Sequence, residues 1–263
     1  MQHALSGKSL VIIGGTTGIG LSAARAFIAA GARVVIVGRN PESVAAAEVV
    51  LGGKALAFAG DATKPKTAER AIGEAVSAFG GFHGLYHVAG GSGRKSGDGP
   101  LHELTDEGWQ DTLDLNLTSA MLSNRAAVQQ FLAQNSGGSI LNMGSVLASH
   151  PSPRYFATHA YAAAKAAIAG FSQSIAAYYA DAGIRVNVLA PALVDTPMAQ
   201  RAVQDEHVRN FIQTTQPLDG GRIGQPEDLD AAAIFFLSDA AKFCTGQILN
   251  VDGGWSLSDG QFS

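Results

Sequence analysis

Short apolar runs rich in β-branched residues alternate along the chain with longer stretches whose apolar positions recur every three to four residues. The runs Ser9–Ile13, 33–37, Ala55–Ala59, 85–88, 139–143, 185–189 and 247–251 predict strands. Between them, 18–31, Pro41–Leu51, Pro65–Phe79, 105–115, 117–134, 161–179, 195–211 and 226–237 predict helices. Gly31 closes the first helix, and Pro41 and Pro226 stand in the first turns of theirs. The patterns 105–115 and 117–134 run nearly into one another around Asn116. Continuous apolar strands separated by helices imply a parallel sheet, right-handed crossovers and helices on both faces. With no linker, repeat or low-complexity segment between elements, 1–263 reads as one α/β, doubly wound domain of about seven strands.

Composition narrows the class. Of 263 residues, 46% are hydrophobic and 15% charged, which provides a large core and excludes disorder. The formal net charge of −4, without a basic run, argues against nucleic acid and against an acidic membrane surface as partner. The single cysteine, Cys244, forms no internal disulfide, which fits a reducing compartment. No apolar run reaches the length of a membrane span, and the first eight residues lack a signal-peptide core, so a cytoplasmic protein is expected. The seven histidines are scattered and the acidic residues lack ligand spacing, so no metal site is expected.

The first strand leads into Gly14-Gly15-Thr16-Thr17-Gly18-Ile19-Gly20 and straight on into a helix. Glycines there let backbone approach a pyrophosphate, which a helix N-terminus attracts through its free N–H groups and dipole. The spacing differs from G-x-G-x-x-G, and a glycine-rich turn without ligand is the alternative. At the end of the second strand, Gly38-Arg39-Asn40 offers a cation and no carboxylate. That favours the 2′-phosphate of NADP(H) over the free 2′-hydroxyl of NAD(H), unless Arg39 simply faces solvent. Asp61, after the third strand, either accepts from an adenine amino group or caps the next helix.

Tyr161 and Lys165 are four residues apart at the start of a helical pattern, so their polar ends share one face. An ammonium beside a phenol favours phenolate and brings the tyrosine toward proton transfer near neutral pH. A surface pair is the alternative reading.

Taken together, Gly14–Gly20, Asp61, Ala89-Gly90, Asn116, Ser145, Tyr161/Lys165, the stretch 187–196, Arg222-Ile-Gly-Gln-Pro-Glu-Asp and Thr245-Gly-Gln with Val251-Asp-Gly-Gly254 run in order from end to end. On these motifs the chain resembles the short-chain dehydrogenases/reductases of the single-domain type, among them 3-oxoacyl-carrier-protein reductase-like members. The resemblance implies a Rossmann-type fold and an NADP(H)-preferring oxidoreductase, with NAD(H) possible, acting on a ketone/secondary alcohol pair. It implies Tyr161 as general acid/base, Lys165 lowering the Tyr161 pKa and holding the nicotinamide ribose, Ser145 orienting the substrate oxygen, and Asn116 holding a water that links Lys165 to solvent. For the cofactor it implies Gly14, Thr16, Thr17, Gly18, Ile19, Gly20, Arg39, Asp61, Ala62, Ala89, Gly90, Pro191, Val194 and Thr196, besides Tyr161 and Lys165. Two other readings stay open: an NAD-linked dehydrogenase of a sugar, polyol or steroid-like alcohol, and a catalytically silent nucleotide-binding regulator.

The chain departs from the family pattern in places. Ile13 stands where Thr is usual, and His87-Val88 replaces Asn-Asn, which suggests coupled changes and an apolar packing, with His87 a satisfied core histidine. Ala192 follows Pro191 in place of Gly, and 150–160 lengthens the gap from Ser145 to Tyr161, creating the decoy Tyr155-x-x-x-His159. The segments 90–100, 150–160 and a flap at about 193–217 should wall the substrate pocket, with the first and last as closing elements. Arg94, Lys95 and Arg154 are candidates to meet an anionic substrate. The apolar circumferences of 117–134 and 161–179 suggest a homotetramer or dimer, joined by Trp255 and Phe262.

Overall fold

The structure, a computed structural model, describes residues 3–260, so Phe262 lies outside the described residues. Strands β1 (Ser9–Ile13), β2 (Arg33–Gly38), β3 (Ala55–Ala59), β4 (Gly84–His87), β5 (Gly138–Met143), β6 (Ile184–Pro191) and β7 (Ile248–Val251) form one sheet in the order β3-β2-β1-β4-β5-β6-β7. Every neighbouring pair is parallel. The chain builds outward from β1 to β3 and then returns to place β4 on the other side of β1. Crossovers therefore diverge between β1 and β4, and a crevice opens above their carboxyl ends.

The helices are α1 (Gly18–Ala29), α2 (Pro41–Leu51), α3 (Pro65–Phe79), α4 (Asp106–Leu113), α5 (Ser119–Gln134), α6 (His159–Tyr178), α7 (Gln200–Gln204), α8 (Glu206–Thr215) and α9 (Asp230–Leu237). Alternate strand residues point to opposite faces. Leu10, Ile12, Val34, Ile36 and Tyr86 pack against Phe27, Ala47 and Ile234 of α1, α2 and α9. Val11, Ile13, Val35, Leu85 and Val186 face Ala71, Phe131 and Ala176 of α3, α5 and α6. A smaller cluster of Val146, Ala202, Val208, Ile212 and Trp255 lies beneath the polar segment after β6.

Several boundaries differ from the periodicity, each for a local reason. α1 ends at Ala29, and Gly31 turns the chain at φ +95°, in the left-handed region. α4 and α5 are continuous through a π-helical turn, Asp114–Thr118, rather than meeting at a break. The expected helix 195–211 is two short ones. Pro197 disfavours helix at Thr196, and Asp205 is extended, its carboxylate accepting the N–H groups of His207 and Val208 to start α8. The segment 226–237 starts with a tight turn, Pro226–Leu229, before α9. α6 begins at His159, earlier than 161, because Asp98 reaches across to its N-terminus: the two carboxylate oxygens accept from Ala160 and Tyr161 N–H, both at 3.0 Å.

Candidate active site

Above β1, β4, β5 and β6 lies a cleft of about 460 Å³. The glycine turn forms one wall. Gly14 has φ +90°, and a Cβ there would lie 2.6 Å from Ala89 N, so only glycine lets the ends of β1 and β4 approach. The first turn of α1 has no side-chain cap, and Gly18 and Ile19 line the cleft beside Thr17. Uncapped N–H groups at a glycine cradle fit a phosphate.

Gly14, Thr17, Gly18, Ile19, Ala89, Gly90, Ser145, Tyr161, Lys165, Pro191, Val194 and Thr196 all line this one cleft. Six other candidates lie outside it, Asn116 among them. Thr16 is buried behind the turn and Gly20 packs toward Gly14; Arg39, Asp61 and Ala62 follow the carboxyl ends of β2 and β3. Asp61 Oδ1 accepts from the Thr63 N–H at 2.9 Å and hydroxyl at 2.8 Å, a local turn; Lys64, not Asp61, occupies the cap position of α3. Burial alone would raise the Asp61 pKa, but the Thr63 donors and the Lys64 and Arg39 charges outweigh it and hold the carboxyl below its ordinary value.

Tyr161 and Lys165 rise from the first two turns of α6, and Ser145 follows β5. Lys165 is buried, and its Nζ donates to the Met143 carbonyl at 2.8 Å and lies 5.5 Å from the Tyr161 ring centre. Burial pushes the Lys165 ammonium down to about 7. Burial also raises the Tyr161 phenol, against which the Ser145 hydroxyl acts in the lowering direction. The direction for Tyr161 is upward, set by burial and opposed by Ser145 alone. Asn116 lies just behind the wall. Its Oδ1 accepts from Gly91 N–H at 3.1 Å, and its Nδ2 donates to Gly91 O at 2.9 Å and Thr112 O at 2.8 Å. A Cβ on Gly90 would be 2.6 Å from Asn116 Oδ1 and 3.3 Å from Lys165 Nζ, so both side chains crowd the same glycine.

His87 is a satisfied core histidine, as expected, but the packing around it is polar rather than apolar. Its Nδ1 is 2.8 Å from Ser123 Oγ and its Nε2 3.2 Å from Ser119 Oγ. Each serine is also tied to its own helix, Ser119 Oγ to Leu115 O at 2.6 Å and Ser123 Oγ to Ala120 O at 3.1 Å. Burial, with the Lys165 charge adding to it, holds the imidazole down at about 3 and so neutral. Its register partner Asn142 exchanges bonds of 2.8 and 2.9 Å with Asn124 and donates to Ser172 at 3.0 Å. This polar seam joins β4 and β5 to α5 and α6 directly beneath the cleft. Ser119, Ser123, Asn124 and Ser172 were not among the residues singled out from the sequence; their signal is polarity on the buried faces of otherwise apolar helices.

The outer walls hold further corrections. Segment 90–100 is tied at two points: Gly91 N–H donates to Asn116 Oδ1, and the segment's own Asp98 accepts from the start of α6. Trp255 belongs to the chain's own pocket: it is buried, its Nε1 donates to His150 O, and it meets Phe156 and Phe211 edge-on at 5.6 and 5.5 Å. The decoy Tyr155 stacks obliquely on Phe211 and His159 is exposed. Arg94 and Lys95 line the cleft; Arg154 lies over Tyr155 instead, and Arg201 takes a place in the lining. At the base of the 193–217 segment, Gln216 is buried and accepts from Leu193 N–H at 3.0 Å. Among the described residues there is no His/Cys/Asp/Glu cluster suited to a metal, and no helix is long and apolar enough to cross a membrane.

A seven-stranded parallel sheet carrying a glycine turn at its switch point and a Tyr/Lys/Ser cleft beside it defines a nucleotide-linked enzyme class. The family described as enoyl-(acyl carrier protein) reductase matches residues 14–256. The chain is 33% identical over 253 residues to 2,5-dichloro-2,5-cyclohexadiene-1,4-diol dehydrogenase of Sphingobium indicum, covering 96% of this chain and 98% of the relative. It is 36% identical over 269 residues to 3β-hydroxysteroid dehydrogenase 1 of Eggerthella lenta, covering 99% and 98%. A short-chain dehydrogenase/reductase structure from Mycobacterium ulcerans superposes with a TM-score of 0.88 at 33% identity, covering 97% of this chain and 91% of that one. The chain belongs to the short-chain dehydrogenase/reductase family and is an oxidoreductase of that family, whose members work with NAD(P)(H) on small molecules.

Proposed function

We propose that this protein interconverts a ring secondary alcohol and its ketone with NADP(H), Tyr161 serving as the acid/base. The observation that carries the reading is the convergence of Ser145, Tyr161 and Lys165 on one cleft with the glycine turn. When bound, the nicotinamide cofactor supplies or removes the hydride. The Tyr161 hydroxyl donates its proton to the carbonyl oxygen in reduction and takes it back in oxidation. Ser145 gives a second donor to the same oxygen, so negative charge growing there meets two hydroxyls. Lys165, fixed by Met143 O, acts as a cation when protonated, favouring phenolate and holding ribose hydroxyls. Asn116, its amide tied to Gly91 and Thr112, would hold a water that links Lys165 to solvent.

Gly14, Thr17, Gly18 and Ile19 would hold the diphosphate, with Thr16 and Gly20 keeping the turn tight. Ala89 and Gly90 floor the nicotinamide side, and Pro191, Val194 and Thr196 would hold the carboxamide. Asp61 and Ala62 would flank the adenine. Arg39 would read a 2′-phosphate, since neither Gly38 nor Asn40 beside it brings a carboxylate. A ring substrate is supported by the two relatives named above, whose names speak of a cyclohexadienediol and a hydroxysteroid, and by the aromatic wall of Phe156 and Trp255. Reduction is the proposed direction, segment 193–217 the cover that closes over substrate, and the cytoplasm the location. A homotetramer fits the exposed small residues Ala163, Ala166, Ala167 and Gly170 along α6.

Fluorescence titration of the protein with NADPH and NADH, repeated on Arg39→Asp, tests the cofactor part. Tighter NADPH binding in the parent and a reversal in the variant are expected. An unchanged ratio would make Arg39 a bystander.

A further inference from the structure

The protein carries a net charge of −4, yet the charged residues lining its cleft are Arg94, Lys95, Lys165 and Arg201, with no Asp or Glu among the lining residues described. Lys165 lies deep and is held by Met143 O. The other three stand at the mouth on two separate pieces of chain, segment 90–100 and α7. Excess positive charge drawn to one opening from two elements is unfavourable unless something negative enters.

The cations on segment 90–100 are also held in place. Arg94–Ser96 is a single tight turn between Gly93 and Gly97, both with positive φ, and a Cβ on either glycine would collide with Thr112 or Thr105. The Arg94 guanidinium donates to Tyr155 O at 3.4 Å, which turns it toward the 150–160 wall. Burial, with the Arg201 charge adding to it, disfavours the Arg94 cation, and Asp98 acts in the opposite direction. Asp98 is a poor partner, because both of its oxygens already accept N–H groups at the start of α6. Arg94, Lys95 and Arg201 take part in none of the ion pairs formed among the described residues. The lining between the mouth and Tyr161 is apolar, with Val146, Leu147, Phe156, Leu193 and Trp255.

We propose that the substrate is an apolar ring alcohol or ketone bearing an anionic group, a carboxylate in its simplest form, which Arg94 and Arg201 bind at the mouth while the carbinol meets Tyr161. The proposal rests on the reading of this cleft as a ring-alcohol site. Arg94 is the principal contact, since its planar fork matches a carboxylate in two-point geometry. The cofactor diphosphate has its proposed place at the glycine turn, and NADPH binding measured beside carboxylate binding separates the two anions.

The test compares 4-hydroxycyclohexanecarboxylate with its neutral carboxamide as substrates for the parent, Arg94→Gln and Arg201→Gln. Equilibrium binding of cyclohexanecarboxylate and of NADPH is measured on the same proteins. The parent should prefer the carboxylate by about 10-fold or more in kcat/KM, as a charge-assisted contact requires. Arg94→Gln should erase most of that preference through KM, and should weaken cyclohexanecarboxylate binding far more than NADPH binding. Equal turnover of both substrates by the parent, or a loss of NADPH affinity in Arg94→Gln as large as the loss for the carboxylate, would overturn the proposal. If neither alcohol is turned over, the ring-alcohol reading fails separately. Cyclohexanecarboxylate binding then decides: retained by the parent and lost in Arg94→Gln it upholds the anion site, and absent from the parent it ends the proposal.

Discussion

Replacing Lys165 by Met should make the cofactor-free protein more stable while abolishing its chemistry. Lys165 is 2% exposed, with its amine lowered from 10.5 to about 7 by burial. In an unfolded chain the amine titrates near its ordinary value, so from about pH 7 to 10.5 the unfolded state binds more protons than the folded state. Stability therefore rises with pH across that window, and the penalty is full below its lower edge. At about 1.4 kcal/mol per pKa unit the penalty reaches roughly 4–5 kcal/mol at the acid end. Methionine has similar length and no charge, but it forfeits the bond to Met143 O and leaves that carbonyl without its donor, a loss of about 2 kcal/mol. The net gain is about 2 kcal/mol near pH 6.5, roughly 4–8 °C in Tm for a chain of this size. It should shrink steadily toward pH 9.5. Tyr161, with its pKa raised, stays protonated throughout and does not mask the trend. Melting both proteins without nucleotide at a series of pH values from 6.5 to 9.5 measures this. A variant less stable than the parent at pH 6.5, or a difference that ignores pH, would refute the reasoning. A functional lysine held at a cost to stability is a familiar compromise at active sites.

Other expectations concern the seam and the turn. His87→Leu should lower stability by about 1–2 kcal/mol at pH 7 in urea unfolding, because Ser119 and Ser123 keep carbonyl acceptors and are not orphaned. The parent's imidazole, held near 3, should erode stability as pH falls from 6.5 toward 3, and the variant should lose less over that range. Ile13→Thr puts a hydroxyl into the cluster of Val11, Val35 and Val37 and should destabilise by about 1–3 kcal/mol, whereas a gain would show that Ile13 and His87 are not matched to each other. Gly38→Ala should weaken NADPH binding by about 10-fold or more, because its Cβ would drive into Thr16 behind the glycine turn. Unaltered affinity would remove that turn from the binding site.

Most of the fold was legible because strand and helix periods are strong here. The residues flanking Asn40 illustrate why: Pro41 fixes the first turn, and Asn40 accepts from Glu42 and Ser43 N–H, so α2 starts where local chemistry says it must. The segment after β6 has the periodicity of one helix but folds as two, because Asp205 turns from helical surface residue into the cap of α8. Among candidate site residues, Tyr161, Lys165 and the glycine turn announced themselves by spacing. The partners that hold them did not. Met143 contributes a backbone carbonyl, which no side-chain pattern reports. Asp98 caps α6 across 63 residues of sequence, and Arg201 reaches the cleft only because α7 folds over it. The position of Trp255 likewise depends on packing against Phe156 and Phe211, which periodicity cannot foresee.

The central claim is that the Tyr161 hydroxyl carries the proton. Turnover of a ring alcohol or ketone and NADPH affinity, measured side by side for the parent and Tyr161→Phe, test it most directly. Removing one oxygen atom should lower kcat by about a thousandfold, within the usual range for a lost acid/base, while the NADPH dissociation constant stays within about threefold. Turnover within about tenfold of the parent, or a loss of activity that only mirrors a loss of NADPH binding, would contradict the account.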